Sequence, residues 1–152
     1  MAQLLGEATG NLGFGLGGGY GLQVHHIADR PSKDLDAYVN SMDVEVFAAA
    51  EQALCARLEA AGLSTEVAGR NDWFRAILVT GASPDERVVV DLAYDYRAKP
   101  PIVVEGVGPV LDVEDIVTGK VRAFVDRGVE RDYSDIASIL NIRRWTVHDL
   151  YA

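Results

Sequence analysis

Six glycines, Gly13, Gly15, Gly17, Gly18, Gly19 and Gly21, fall within nine residues near the start of the chain. Phe14, Leu16, Tyr20 and Leu22 are set among them, so the run is not low complexity. Such a stretch can do two things that side chains would block. It lets backbones pack closely, and it bares N–H groups to an anion at the start of a helix. The spacing predicts a short strand over 14–16, a tight turn at Gly17-Gly18-Gly19 and a helix over 20–27. Asp29-Arg30-Pro31-Ser32 then reads as a loop, because the residue before a proline is pushed out of the helical region.

The next segment carries the chemistry. Leu35, Ala37 and Val39 alternate with Asp34, Asp36 and Tyr38, which predicts a strand over 34–39. A period of two puts Asp34 and Asp36 on the same face. Two neighbouring carboxylates repel, so the pair calls for a cation or water to relieve it. A third acid, Asp91, interrupts the apolar run Val88-Val89-Val90-Asp91-Leu92. A lone ionised Asp there is costly unless it is paired or binds metal, and Arg70 or Arg75 could equally be its partner. Three Asp on adjacent strands would form an oxygen-rich site for Mg²⁺. Two such ions would activate a hydroxyl and stabilise leaving pyrophosphate.

Elsewhere, Ser41 is the expected N-cap of a long helix over 43–61, stopped by Gly62. Strands follow over 64–68, 74–80 and 87–94, the last two joined as a hairpin by the turn Gly81–Glu86. Lys99-Pro100-Pro101 is expected to end the sheet, leaving 102–110 ambiguous. Asp112 caps a helix over 113–127 that Gly128 stops, and Asp132 is expected to cap a last helix reaching about residue 144. On the first of these helices Lys120 and Arg127, seven apart, share a face.

Composition narrows the class. The chain has 152 residues, 49% of them apolar, enough for one domain with a real core. Its 14 basic and 23 acidic residues give a net charge of −9, so it has no global nucleic-acid footprint. RNA would need a local patch from Arg122, Arg131, Arg143 and Arg144. The single cysteine, Cys55, excludes a disulfide framework within the chain and reads as a small helix residue packed inward. No P-loop, His-Glu-x-x-His or Gly-x-Ser-x-Gly motif occurs. His25 and His26 read as helix-terminal structural residues. Trp73, Tyr94, Tyr96 and Trp145 fit base stacking and ordinary packing equally well. The start of the chain does not resemble a signal peptide and no apolar run is long enough to span a membrane, so a cytoplasmic protein without membrane contact is expected.

The order glycine turn, helix, paired Asp and third Asp strand resembles the nucleotidyltransferase superfamily that includes polymerase-beta-like enzymes. The segment LGGGYGLQVHHIADRPSKDLDAYV (Leu16 to Val39) is similar in particular to AbiEii/AbiGii-type nucleotidyltransferase toxins. LDVEDIVTGKVRAFVDRGVERDYSDIASIL (Leu111 to Leu140) resembles their C-terminal pattern of Lys, Arg and an Arg-Asp-x-x-Asp helix, here Lys120, Arg127, Arg131, Asp132 and Asp135. The resemblance implies an α+β fold: a mixed twisted sheet of about four to five strands flanked by helices, with a C-terminal helical pair. It implies one nucleotidyltransferase-like domain over 1–152, its catalytic sheet and helices within about 1–110.

The resemblance also implies roles. Gly18 and Gly19 would cradle the triphosphate of an NTP, braced by Arg30 and Ser32. Asp34, Asp36 and Asp91 would hold two Mg²⁺ ions, and Asp91 would also take the acceptor proton. Lys120 would contact nucleotide phosphate, and Asp135 would orient Lys120 or the acceptor. The acceptor hydroxyl would belong to tRNA, a protein or a small molecule. A cognate antitoxin would be a partner. Two departures point to an alternative, an inactive nucleotidyltransferase-fold domain that binds nucleotide or a partner protein. Tyr20 stands where many relatives have Ser or Thr, and the chain ends soon after the Arg-Asp-x-x-Asp helix. The second departure suggests either a minimal version or function shared with a partner, including a second copy in a homo-oligomer.

Overall fold

The computed structural model describes residues 1–83 and 86–151. Its elements in chain order are α1 (Ala2–Thr9), β1 (Gly15–Leu16), α2 (Gly18–Val24), β2 (Asp34–Val39), α3 (Val44–Ala60), β3 (Ser64–Asn71), β4 (Phe74–Thr80) and β5 (Arg87–Tyr94). They continue with β6 (Ile102–Val104), β7 (Gly108–Val110), α4 (Val113–Asp126), α5 (Glu130–Asn141) and α6 (Val147–Tyr151). A mixed seven-stranded sheet in the order β3-β4-β5-β2-β1-β7-β6 carries the molecule. β2 runs parallel to β5, and β1 parallel to β7; the other neighbours are antiparallel.

Strand alternation sorts the two faces. In register across three strands lie Ala37, Leu92 and Arg75, and one step away Asp36, Asp91 and Ala76. The first row faces α3. Arg75 stands over the Phe47 ring, its guanidinium carbon 5.8 Å from the centroid, and pairs with Glu51 of α3 at 2.7 Å. Helical spacing puts Phe47, Ala50, Leu54 and Leu58 on the inner side of α3, all fully buried. Phe47 meets Phe14 edge-on at 5.6 Å, which ties α3 to the start of the sheet. The second row, with the carboxylates, turns to the other side, where α2 packs on β2 and α4 packs on α2. The buried apolar residues form one cluster.

Several sequence expectations change here. The sheet has seven strands rather than four to five, because it continues past Lys99-Pro100-Pro101. Ile102–Val104 and Gly108–Val110 form a small hairpin, and Leu16 aligns with Val110 to dock β7 on β1. Three-residue strands are too short to show a period, so only pairing partners define them. α1, which carried no expectation, packs on α3 and β7. The α2 helix begins at Gly18 and already includes the glycine turn. α3 is capped by Asp43, whose Oδ1 accepts from the Glu45 N–H at 3.0 Å, while Ser41 Oγ, two residues earlier, accepts from the Asp43 N–H. α5 starts at Glu130, so Asp132 is its third residue and not its cap. There its carboxylate reaches back to accept from Val129 N–H at 3.1 Å. β4 and β5 do pair as a hairpin, but Pro84 and Asp85 of its turn lie outside the described residues, as does Ala152. No helix among the described residues is long and apolar enough to cross a membrane.

Phe47 anchors the α3 side of the core with no exposed surface. Phe47→Ala should therefore lower the unfolding free energy by about 3–5 kcal/mol, read from urea denaturation. Val103→Ala, on an edge strand and 83% exposed, should leave it within about 0.5 kcal/mol.

Candidate active site

A cleft of about 660 Å³ opens on the carboxylate side of the sheet, between β2, β5, the first turn of α2 and one side of α4. Asp34, Asp36 and Asp91 all border it. Strand register explains their convergence: β2 and β5 are parallel neighbours, Asp36 is aligned with Asp91, and Asp34 lies two residues earlier on the same face. The alternative partners of Asp91 are taken elsewhere. Arg70 and Arg75 both pair with Glu51, at 2.5 and 2.7 Å.

The electrostatics bear the mark of crowded like charge. Burial, joined by the charges of Asp36 and Asp34, pushes the Asp91 carboxyl up to about 6. Asp36 is also held above the ordinary carboxylate range, first by burial, with Lys120 pulling it down and Asp34 pushing it up. Asp91 Oδ1 is shut off from solvent and has no hydrogen-bond partner among the described residues. An acceptor atom in that position is costly unless something donates to it or coordinates it. Among the described residues no three His, Cys, Asp or Glu side chains stand, as placed, in a ready-made metal-binding group.

The glycines meet these acids directly. Gly18 has φ +58°, and a Cβ there would stand 1.8 Å from Asp36 Oδ2. Only a bare backbone lets the carboxylate lie against the first turn of α2. A Cβ on Gly19 would come within 2.9 Å of Ser32 Oγ, so Ser32 packs on the same turn. Ser32 Oγ donates to the Asp34 carbonyl at 3.1 Å, fixing the loop that enters β2. Gly18, Gly19, Arg30 and Ser32 all line the cleft.

Lys120 lines it too, from α4. Its Nζ lies 2.7 Å from Asp135 Oδ2, while Arg30 grips the same carboxylate through Nε and Nη2 at 2.7 and 2.8 Å. Burial alone would raise the Asp135 carboxyl; hydrogen bonds from Arg30 and Lys120 outweigh it and hold the group below its usual range. Asp135 is 1% exposed and does not border the cleft. Asp135 thus pairs with two cations of the cleft wall without lining the cleft itself. Arg127 makes a similar two-pronged contact with the buried Asp132, at 2.9 and 2.8 Å.

The residues read as structural lie apart from the cleft. His25 is bound through its ring nitrogen to the Leu111 carbonyl at 2.9 Å, and neither His25 nor His26 lines the cleft. Tyr20 is half-buried against the core, away from the lining, so its phenol does not stand in for a phosphate-binding hydroxyl. Cys55 is half-buried and packs on the core from α3. Of the four aromatic residues weighed for stacking, Trp73, Tyr94, Tyr96 and Trp145, only Tyr94 borders the cleft; Trp73 donates to the Met42 carbonyl, and Trp145 lies under the Arg144 guanidinium. The sequence reading missed Tyr38, Asp95, Asp115 and Asp126 as lining residues. Tyr38 was detectable, since it extends the alternation of Asp34 and Asp36. Asp95 and Asp126 share the cleft through Arg122 of α4, which lies 3.2 Å from Asp95 and 3.7 Å from Asp126.

The raised Asp91 carboxyl gives a signed pH dependence. A folded-state value above the unfolded one contributes stability below about pH 4 that is lost as pH rises through about 6. Asp91→Asn removes this loss. Its melting temperature relative to the parent chain should therefore increase between about pH 4 and pH 7.5 in magnesium-free buffer, measured by differential scanning calorimetry.

Comparison with known proteins agrees with this architecture. The family model described as nucleotidyl transferase AbiEii toxin, type IV TA system, matches residues 1–151. No curated protein sequence matches significantly. Among solved structures, JHP933 from Helicobacter pylori is similar with TM-score 0.64 and 15% identity, over 93% of this chain and 63% of that one. The nucleotidyltransferase toxin MenT4 from Mycobacterium tuberculosis H37Rv is similar with TM-score 0.63 and 16% identity, over 97% of this chain and 58% of that one. The antibiotic-resistance factor ANT(2'')-Ia is similar with TM-score 0.58 and 14% identity, over 99% of this chain and 84% of that one. At these identities the likeness is one of fold, and the chain spans less than two thirds of the length of the first two. With the family model covering the chain almost end to end, the protein belongs to the AbiEii nucleotidyl transferase toxin family.

Proposed function

We propose that the protein is a magnesium-dependent nucleotidyltransferase built as one catalytic unit, moving an NMP from an NTP to an acceptor hydroxyl and releasing pyrophosphate. The observation that carries this reading is the in-register pair Asp36 and Asp91, with Asp34 beside it, under a glycine turn and opposite a clamped lysine. The donor set fits a hard divalent cation. It consists of carboxylate oxygens, and one of them, Asp91 Oδ1, is buried without a partner. Asp34, Asp36 and Asp91 would hold the metal, which when bound would offset phosphate charge and lower the pKa of a bound hydroxyl.

The chain's own residues supply the rest. Backbone N–H groups at Gly18 and Gly19 receive the triphosphate, and Ser32 and Arg30 support that turn from behind. Lys120 places a fixed positive charge on the phosphate side of the cleft, and Asp135 holds its ammonium in place. The acceptor oxygen attacks the α-phosphorus as the bond to the β-phosphate breaks, and its proton passes to Asp91. Asp91 stands in register with Asp36 at the cleft, where a carboxylate can accept that proton. Positioning and charge neutralisation account for most of the rate. A cognate antitoxin is the partner that membership in this family suggests.

A tRNA acceptor, the other expectation from the resemblance, needs a continuous basic surface beside the carboxylates. Three of the four arginines named for it lie among acids: Arg122 is 3.2 Å from Asp95, Arg131 3.9 Å from Asp34 and Arg144 3.7 Å from Glu114. The acceptor is therefore better approached through the charge of the cleft itself.

Pyrophosphate release from each NTP, with and without Mg²⁺, tests the reading. Asp91→Asn should lower turnover by about 10²–10⁴-fold with the fold intact by circular dichroism. Lys120→Ala should act mainly on the KM for NTP. Turnover of Asp91→Asn within about threefold of the parent chain would refute the assignment.

A further inference from the structure

The cleft is polar along its length. β2 and β5 run parallel, so both strand starts lie at one end of it and both strand ends at the other. At the starting end stand Ser32, Arg30 and Lys120, with Arg131 close to Asp34. At the finishing end stand Tyr38, Tyr94, Asp95 and, from α4, Asp126. A guanidinium already occupies this second end: Arg122 lies 3.2 Å from Asp95 and 3.7 Å from Asp126. Arg122 is 70% exposed, and ion pairs that long and that exposed hold weakly. Arg97 stands behind the wall, buried, and its cationic form is disfavoured by burial while Asp95 and Asp115 support it. Asp115 itself is committed to the backbone N–H groups of Ala98 and Lys99. Tyr38 reports the field there: its phenol is pushed up, first by burial and then by Asp36, Asp95 and Asp91. The unpartnered Asp91 Oδ1 lies on the strand that leads into this end.

In-line displacement places the entering and leaving oxygens on opposite sides of the phosphorus. If pyrophosphate leaves on the lysine side, the acceptor enters past Asp91 from the Asp95 side. We propose that the acceptor hydroxyl is carried on a cationic group, an ammonium or guanidinium that takes the place of Arg122 between Asp95 and Asp126 beside the Tyr38 and Tyr94 rings. This inference rests on the nucleotidyl-transfer reading above and names its acceptor class. Carboxylates together with aromatic faces are what recognition of a cation requires. A phosphodiester strand would instead bring like charge against Asp95 and Asp126, on a chain whose net charge is already −9. The same chemistry is available from a small amino sugar or from a hydroxyl residue flanked by lysines in a polypeptide.

The test supplies the full chain with Mg²⁺ and α-labelled NTPs, and offers acceptors in matched pairs. One pair is a diamino sugar and its N-acetylated twin. The other is a lysine-flanked serine peptide and its acetyl-lysine twin, and total RNA is a separate arm. The cationic member of at least one pair should be labelled at least about tenfold faster than its neutral twin, and which pair responds identifies the source. Asp95→Asn combined with Asp126→Asn should raise the KM for that acceptor at least about fivefold while the KM for NTP moves less than about twofold. Arg122→Ala should lower the acceptor KM. Equal labelling of both twins, or preferential labelling of RNA, overturns the proposal and leaves nucleotidyl transfer standing. If neither label transfer nor pyrophosphate release occurs, the enzymatic reading fails. Calorimetric titration of the diamino sugar and its twin into protein with a non-hydrolysable NTP analogue and Mg²⁺ then decides separately. Tighter binding of the amine that is lost in the double variant supports the cation seat, and its absence overturns it.

Discussion

The parallel pairing of β2 with β5 is the contact on which the rest of the site depends. It sets Asp36 beside Asp91 and keeps Asp34 on the same face. The cost is electrostatic, and it appears in the raised carboxyls of Asp36 and Asp91. The sheet can sustain that cost because β2 and β5 bury apolar side chains, Leu35, Ala37, Val39, Val90 and Leu92, on the opposite face. Ala37 and Leu92, in the row facing α3, are buried against Phe47 and its neighbours. Core packing on one side therefore stabilises a strand pairing that the acidic side alone would oppose.

A second arrangement sets the positive charge of the cleft. Asp135 sits on α5, buried, and holds Arg30 from the loop before β2 together with Lys120 from α4. Three parts of the chain meet at that one carboxylate. A buried charge between two cations is well paired, and removing it would leave both without their counter-ion. Asp132, three residues earlier, repeats the logic with Arg127 while also receiving the N–H of Val129 at the start of its helix. The Arg-Asp-x-x-Asp segment is thus a fastening for cleft cations as much as a part of the helix.

Together these contacts give the cleft its charge gradient. Fixed cations gather where the strands begin, and carboxylates with aromatic rings where they end. In the proposed reading the acceptor end would be formed by Asp95, Arg122 and Asp126, which lie outside the glycine turn and the paired Asp strand.

Much of the site was legible in the sequence because its signals are local. The Asp34/Asp36 alternation, the glycine run and the 3.6-residue spacing of α3 each follow from neighbours a few positions apart, and β2, α3, β4 and β5 emerge close to where periodicity predicts them. Asp91 could be singled out as an anomaly in an apolar strand, but only strand register shows that it stands beside Asp36 and not beside an arginine. The short strands β6 and β7, the position of Asp132 within its helix and the meeting of Asp95 with Arg122 were not legible. The docking of β7 on β1 and the meeting of Asp95 with Arg122 depend on partners far away in the chain, whereas Asp132 is bonded locally, to the Val129 N–H three residues back. The sequence by itself determined which residues must be inside and which acids needed relief. Tertiary structure alone decided which charges face one another, because distance in space, not in sequence, sets the energy of a charge pair.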